Sequence, residues 1–204
     1  MTTKEITQHH ILQSVKVKSD LLNDPQAVDT IVRIAEICTE AYRRGNKVIW
    51  AGNGGSAADA QHMAGEMVSK FYFDRPAIPS IALTTDTSII TAIGNDYGYH
   101  KVFSRQIQAN AVKGDVFIGI STSGNSQNLV EALPMCREIG VTAVALVGSS
   151  PCAMDDWDIV VKIPSTVTPR IQECQTLIGH IICCIVEENL FAQDYKVGSI
   201  NSHN

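Results

Sequence analysis

The sequence predicts an α/β protein: a three-layer α/β/α sandwich around a five-stranded parallel sheet, preceded by N-terminal helices. Three observations carry that expectation. From residue 47 onward, short apolar runs of strand length alternate with helical periodicity, the pattern of parallel strands covered on both faces. Two of those runs end in loops rich in glycine and hydroxyl residues, and open parallel sheets bind ligands beyond the carboxyl ends of their strands. Of 204 residues, 45% are hydrophobic but only 6% aromatic, enough for a sizeable aliphatic core in one domain.

Residues 4–22 carry a loose helical pattern through Ile11, Val15 and Leu22, with His9 and His10 on a solvated face. Asp24 followed by Pro25 reads as an N-cap and first helical residue. Val28, Ile31, Ala35, Cys38 and Tyr42 follow at helical spacing, and Gly45 closes that helix. These two helices exceed what a minimal α/β domain needs, so they cover the sheet or pack on another subunit. Strands are expected at 47–51, 78–83, 115–120, 142–147 and 159–163. Helices are expected from the Gly52 loop to about 70, from the Thr84–Ser88 turn through 93, and at 101–111, 126–138 and 169–191. Residues 94–99 read as a loop. A single domain therefore spans 1–192, and the polar tail 193–204 is expected to be disordered.

The net charge of −5 argues against a nucleic-acid or anionic-membrane surface. The first residues lack the apolar run of a signal peptide, and no apolar stretch is expected to reach the length of a membrane span. Six cysteines without C-x-x-C spacing read as small buried hydrophobes in a reducing compartment, so the cytoplasm is the expected location.

The apolar run 116–120 leads into Ser121-Thr-Ser-Gly-Asn-Ser126. A turn from strand to helix offers free N–H groups and the positive end of a helix dipole, which together hold a phosphate. The hydroxyls of Ser121, Thr122, Ser123 and Ser126 add donors; the alternative is a helix cap by Ser126 alone. Gly119 to Gly124 has half of a nucleotide-loop spacing but lacks its lysine, and the Gly52 loop lacks the third dinucleotide glycine. A small phosphorylated ligand remains. In the following helix, Ser56 and Asp59 fit a capping box. His62 and Glu66 share a face at four-residue spacing, able to bind a metal, share a proton or form an ordinary surface pair. Gln172 and His180 are separated by about 12 Å of rise and about 80° of rotation, and meet only if His180 leans toward the helix N-terminus.

Taken together, several motifs resemble the sugar isomerase (SIS) domain, and more narrowly the phosphoheptose isomerases of bacterial heptose synthesis. They are Gly52-Asn-Gly-Gly-Ser-Ala-Ala-Asp59, His62 with Glu66, Thr84-Thr-Asp-Thr-Ser88, Gly94-Asn-Asp96, Gly119-Ile-Ser-Thr-Ser-Gly-Asn-Ser126, and Arg170-Ile-Gln-Glu173 with His180. The resemblance covers nearly the whole chain and implies a flavodoxin-like strand order. It implies conversion of sedoheptulose 7-phosphate into D-glycero-D-manno-heptose 7-phosphate. It assigns the phosphate to Ser121, Thr122, Ser123 and Ser126, and the sugar to Asn53, Gly54, Gly55, Asn95, Asp96 and Gln172, with Glu66 beside it. One zinc ion per subunit would be held by His62, Glu66, Gln172 and His180, in a homotetramer with active sites at subunit interfaces. Glu66 is the expected base at carbon and His180 the acid–base partner at the oxygens, while zinc acts as Lewis acid. A base that is also a metal ligand has an awkward double role. Many relatives have histidine at the position of Gln175, and some have aspartate near Pro169. The rival class is a non-catalytic SIS module of the type that binds the replication initiator; retention of Glu66 and His180 favours the enzyme. A glutamine-fed aminosugar synthase would need an amidotransferase domain that this chain does not carry.

Overall fold

The computed structural model describes residues 1–195. Two helices come first, α1 (Thr3–Leu22) and α2 (Pro25–Arg43). Asp24 caps α2 by accepting from the Ala27 amide at 3.1 Å, as its sequence position implies. At α1, Thr2 and Glu5 close a reciprocal capping box that pattern reading did not anticipate. The strands β1 (Val48–Gly52), β2 (Ser80–Ala82), β3 (Val116–Ile120), β4 (Thr142–Gly148) and β5 (Ile159–Ile163) form one sheet in the order β2-β1-β3-β4-β5. Every adjacent pair is parallel. This doubly wound order has its switch point between β1 and β3, where the crevice for a ligand opens.

Alternate strand residues point to opposite faces. Val48, Trp50, Val116, Ile118, Val144 and Leu146 meet α1, α2 and the helices α3 (Gly55–Val68) and α8 (Thr168–Tyr195). On the other face, Ile49, Phe117, Ala143 and Ala145 pack under α4 (Thr87–Tyr97), α5 (Val102–Asn110), α6 (Gln127–Val130) and α7 (Ala132–Ile139). The expected three layers are therefore present.

Several boundaries differ from the sequence reading. The strand expected at 78–83 pairs regularly only over Ser80–Ala82, starting just after Pro79, which has no N–H to give the ladder. The helix expected at 126–138 is broken at Glu131, because Pro134 crowds the carbonyl four residues back, that of Val130. Of the loop expected at 94–99, residues 94–97 are instead the last turn of α4, Gly98 caps it at φ +88°, and Tyr99 starts a short 3-10 helix. Within the expected tail, 193–195 continue α8, and 196–204 lie outside the described residues. By length and composition, Thr168–Gln193 is apolar enough to cross a membrane, which corrects the expectation that no stretch is; 44% of its apolar 18-residue window is buried in this chain. Its packing on α2 and α3 makes it a core helix.

All six cysteines are free thiols. Burial pushes Cys38 and Cys136 up to about 12, so they serve as small apolar side chains.

Asp115 closes the other end of the sheet. It is fully buried and accepts from the Val112 amide (2.9 Å), the Lys47 amide (3.0 Å) and the Lys47 ammonium (2.6 Å). Burial pushes its carboxyl up, but these hydrogen bonds outweigh it and hold the group below its ordinary value. A depressed carboxylate stabilises the fold above its unfolded-state pKa, and that stability is lost as pH falls through the folded value. Asp115→Asn is expected to lower the melting temperature at neutral pH and to flatten its decline in acid. A variant as steep in acid as wild type would contradict this.

Candidate active site

Two loops flank the switch point. After β1, Asn53 exchanges a pair of amide hydrogen bonds with Asn128, both 2.9 Å, and its carbonyl oxygen also accepts from the Tyr99 hydroxyl at 3.1 Å. Asn128 is buried at the start of α6, so this pair ties the first glycine loop to the second across the crevice. Sequence reasoning missed Asn128 and Tyr99, since contacts 75 and 46 residues apart leave no local periodicity. A cavity of ≈ 390 Å³ opens here, lined by Asn53, Tyr99, His100, Ser126, Gln127 and Asn128.

The 121–126 loop turns on Gly124, at φ +65°. Ser121 Oγ lies 3.1 Å from Ser126 Oγ and accepts from the Gly124 amide at 3.1 Å, while Ser123 Oγ accepts from the Asn125 amide at 3.2 Å. Ser126 lines the cavity beside Asn53, whereas Thr122 and Ser123 line a neighbouring one of ≈ 310 Å³ with Asn125, Ser165 and Thr168. Because α6 has a single turn, its dipole is weaker than the long helix expected there would give. Asn95 and Asp96, expected at the sugar, are exposed on the last turn of α4, where Asn95 donates to Asp96 at 2.8 Å.

The other half of the site comes from α3 and α8, which lie side by side. Gly54, at φ +57°, caps α3 without a side-chain hydrogen bond, so the expected Ser56–Asp59 capping box is absent. Asp59 instead accepts from Thr176 Oγ1 at 2.8 Å. At the level of Gly55, a Cβ would sit 2.6 Å from the Gln172 amide nitrogen, so glycine is needed for Gln172 to approach. At Gly179 a Cβ would meet Met63 Sδ at 2.3 Å, so this glycine lets the two helices close up. Farther along, His180 meets His62 and Glu66.

His62 Nε2 lies 3.0 Å from Glu66 Oε1 and 3.4 Å from His180 Nε2, and one ligand atom from each of the three residues falls within 4.8 Å of the others. Burial pulls the His180 pKa down and the neighbouring His62 lowers it further, against Glu66 and Asp59; the net shift is downward, favouring neutral imidazole. Facing imidazole nitrogens beside a carboxylate are a donor set for a divalent metal such as zinc. Gln172, expected as a fourth ligand, packs its amide beside Gly55, on the same helix as His180 and about 12 Å of backbone rise before it.

The SIS domain family model matches residues 15–148. The phosphoheptose isomerase of Aneurinibacillus thermoaerophilus is 57% identical over 187 residues, 91% of this chain and 94% of that one. Phosphoheptose isomerase 2 of Campylobacter jejuni is 58% identical over 188 residues, 92% of this chain and 94% of that one. The chain belongs to the SIS-domain phosphoheptose isomerases. The solved phosphoheptose isomerase of Neisseria gonorrhoeae superposes with a TM-score of 0.85 at 38% identity, covering 92% of this chain and 100% of that one. For a phosphoheptose isomerase, the arrangement supplies a crevice with hydroxyl and amide donors and, beside it, a carboxylate next to two facing imidazoles.

Proposed function

We propose that this protein interconverts sedoheptulose 7-phosphate and D-glycero-D-manno-heptose 7-phosphate in the cytoplasm, as a step of bacterial heptose synthesis. The observation that carries the reading is the convergence of His62, Glu66 and His180. The cluster lies about 10 Å along α3 from the Asn53 loop, so an open-chain seven-carbon sugar phosphate can bridge loop and cluster.

Aldose–ketose exchange moves a proton between C1 and C2 through an enediolate. It needs a base at carbon and proton exchange at the two oxygens. Glu66 is assigned as the base. His180, favoured as neutral imidazole, can accept a proton from one oxygen and return it to the other while its ring is off the metal. Ser121 and Ser126 hold the phosphate with the loop amides; Asn53 orients the chain of hydroxyls with Gly54, Gly55 and Gln172. The carbonyl oxygen of Asn53 is already taken by Asn128 and Tyr99, so its amide meets the sugar as a donor. His62, Glu66 and His180 fit zinc as protein donors, with Gln172 as the fourth ligand that the resemblance implies. Bound there, zinc supplies a Lewis acid for the carbonyl and the enediolate. A binding-only module would have no use for a carboxylate beside two facing imidazoles.

A homotetramer fits the apolar surface of α1, where Ile6, Ile11, Leu12 and Val15 are exposed, and the neighbouring groove of ≈ 210 Å³ lined by Leu21, Ile31, Leu177 and Ile181. A reducing, cytoplasmic setting fits the free thiols. The test is turnover of sedoheptulose 7-phosphate before and after chelation. Activity is expected to fall with a chelator and return with zinc. A purified, folded protein that never turns over this sugar phosphate would end the proposal, and chelator-insensitive turnover would remove the metal from it.

A further inference from the structure

Behind the proposed catalytic cluster lies a buried ion pair that no step of the mechanism uses. Arg75 is 7% exposed and Glu187 1%. The Arg75 Nε donates to Glu187 Oε1 at 3.0 Å. Its other nitrogens reach the end of α3: Nη1 donates to the Met67 carbonyl at 2.7 Å, and Nη2 to the Glu66 carbonyl at 3.0 Å. These are last-turn carbonyls with no partner inside their own helix. A planar guanidinium can satisfy several of them and a carboxylate together, which a lysine cannot. Glu187 belongs to α8, two turns beyond His180. It also accepts from the amides of Phe71 (2.9 Å) and Tyr72 (2.7 Å). That bond seats the Phe71 ring 5.4 Å from the His180 ring.

Both members thus reach the cluster by short routes. Arg75 grips the backbone of Glu66 itself, and Glu187 fixes that grip to the helix carrying His180 while placing an aromatic wall against its imidazole. We propose that Arg75 and Glu187 are a positioning clamp that sets the separation of Glu66 from His180, and with it the affinity of the site for zinc. The proposal rests on the reading of His62, Glu66 and His180 as the metal-holding centre. Its natural cost is that a buried pair with one partner removed leaves an uncompensated charge, so conservative variants are the useful ones.

The experiment titrates metal-free protein with zinc against a chromophoric chelator, for wild type, Arg75→Lys, Glu187→Gln and a His62→Ala control. In the two clamp variants the stoichiometry is expected to stay as in wild type while affinity falls about 10- to 100-fold, the usual effect of disturbing groups that orient metal ligands. The turnover number should fall with it, and KM for the sugar phosphate should change less than about threefold. Affinity within about threefold of wild type in either folded variant overturns the clamp. So does reduced stoichiometry at unchanged affinity, which marks only a misfolded fraction. If both variants fail to fold, hydrogen exchange on the wild type decides: the Phe71 and Tyr72 amides should be as protected as the amides of α3, and free exchange overturns the clamp. A His62→Ala protein that binds zinc as tightly as wild type sinks the metal-centre reading instead, and leaves the clamp to the exchange result.

Discussion

Glu66→Gln is expected to lower the turnover number about 10²- to 10⁴-fold, the usual worth of a positioned general base, with KM within a few fold of wild type. Glutamine keeps the shape of the side chain and can still accept a hydrogen bond from His62, now 3.0 Å from the carboxylate. It cannot take a proton from carbon. The proposed phosphate and hydroxyl contacts come from other elements, the β3–α6 loop and the start of α3, so ground-state binding has little reason to change. A folded Glu66→Gln protein with near-wild-type turnover would remove Glu66 as the base.

The second large effect falls on the hydroxyl loop. Gly124→Ala is expected to raise KM at least about tenfold and to lower the melting temperature. A side chain at φ +65° occupies the left-handed region, at a cost of roughly 1–3 kcal/mol. The new Cβ would also lie 2.2 Å from Cys152 Sγ and 2.7 Å from Cys152 Cβ, where the Met154 amide donates to the Gly124 carbonyl at 3.1 Å and holds the two segments together. Since about 1.4 kcal/mol is tenfold in affinity, the backbone cost alone reaches the expected loss if the loop relaxes away from its binding form. Adding Cys152→Ala removes the sulfur but not the Cβ, so rescue should be partial. Full recovery in the double variant would show that the backbone conformation is unimportant; wild-type KM in Gly124→Ala would remove the loop from substrate binding.

How much of this was legible beforehand follows from the range of the forces involved. The sheet was legible because strands buried on both faces must be apolar throughout, and the helix ends at Asp24 and Gly45 because turn chemistry is local. His62 and Glu66 were legible as a pair because four residues bring side chains onto one helical face. Their meeting with His180 was implied only by resemblance, since it depends on two helices 118 residues apart lying together. The break at Glu131 was available in Pro134 but was overlooked for the apolar spacing around it. Ser56 and Asp59 matched a capping pattern that tertiary structure overrode, because Thr176 offered Asp59 a hydroxyl. Asn128, Tyr99, Arg75 and Glu187 carry no periodic signal at all. Their roles exist only as long-range hydrogen bonds, and a buried charge such as Glu187, at the end of an apolar helical run, announces a partner without naming it.

The central claim is that Glu66, beside His62 and His180, takes a proton from one carbon of a sugar phosphate and, after exchange with solvent, returns one to the adjacent carbon. Turnover of sedoheptulose 7-phosphate in deuterium oxide, read by NMR, tests it most directly. Wild type is expected to deliver solvent deuterium to C2 of the aldose, and Glu66→Gln to lose that incorporation together with turnover. Product formed by wild type without solvent deuterium, or equal incorporation by Glu66→Gln, would contradict the claim.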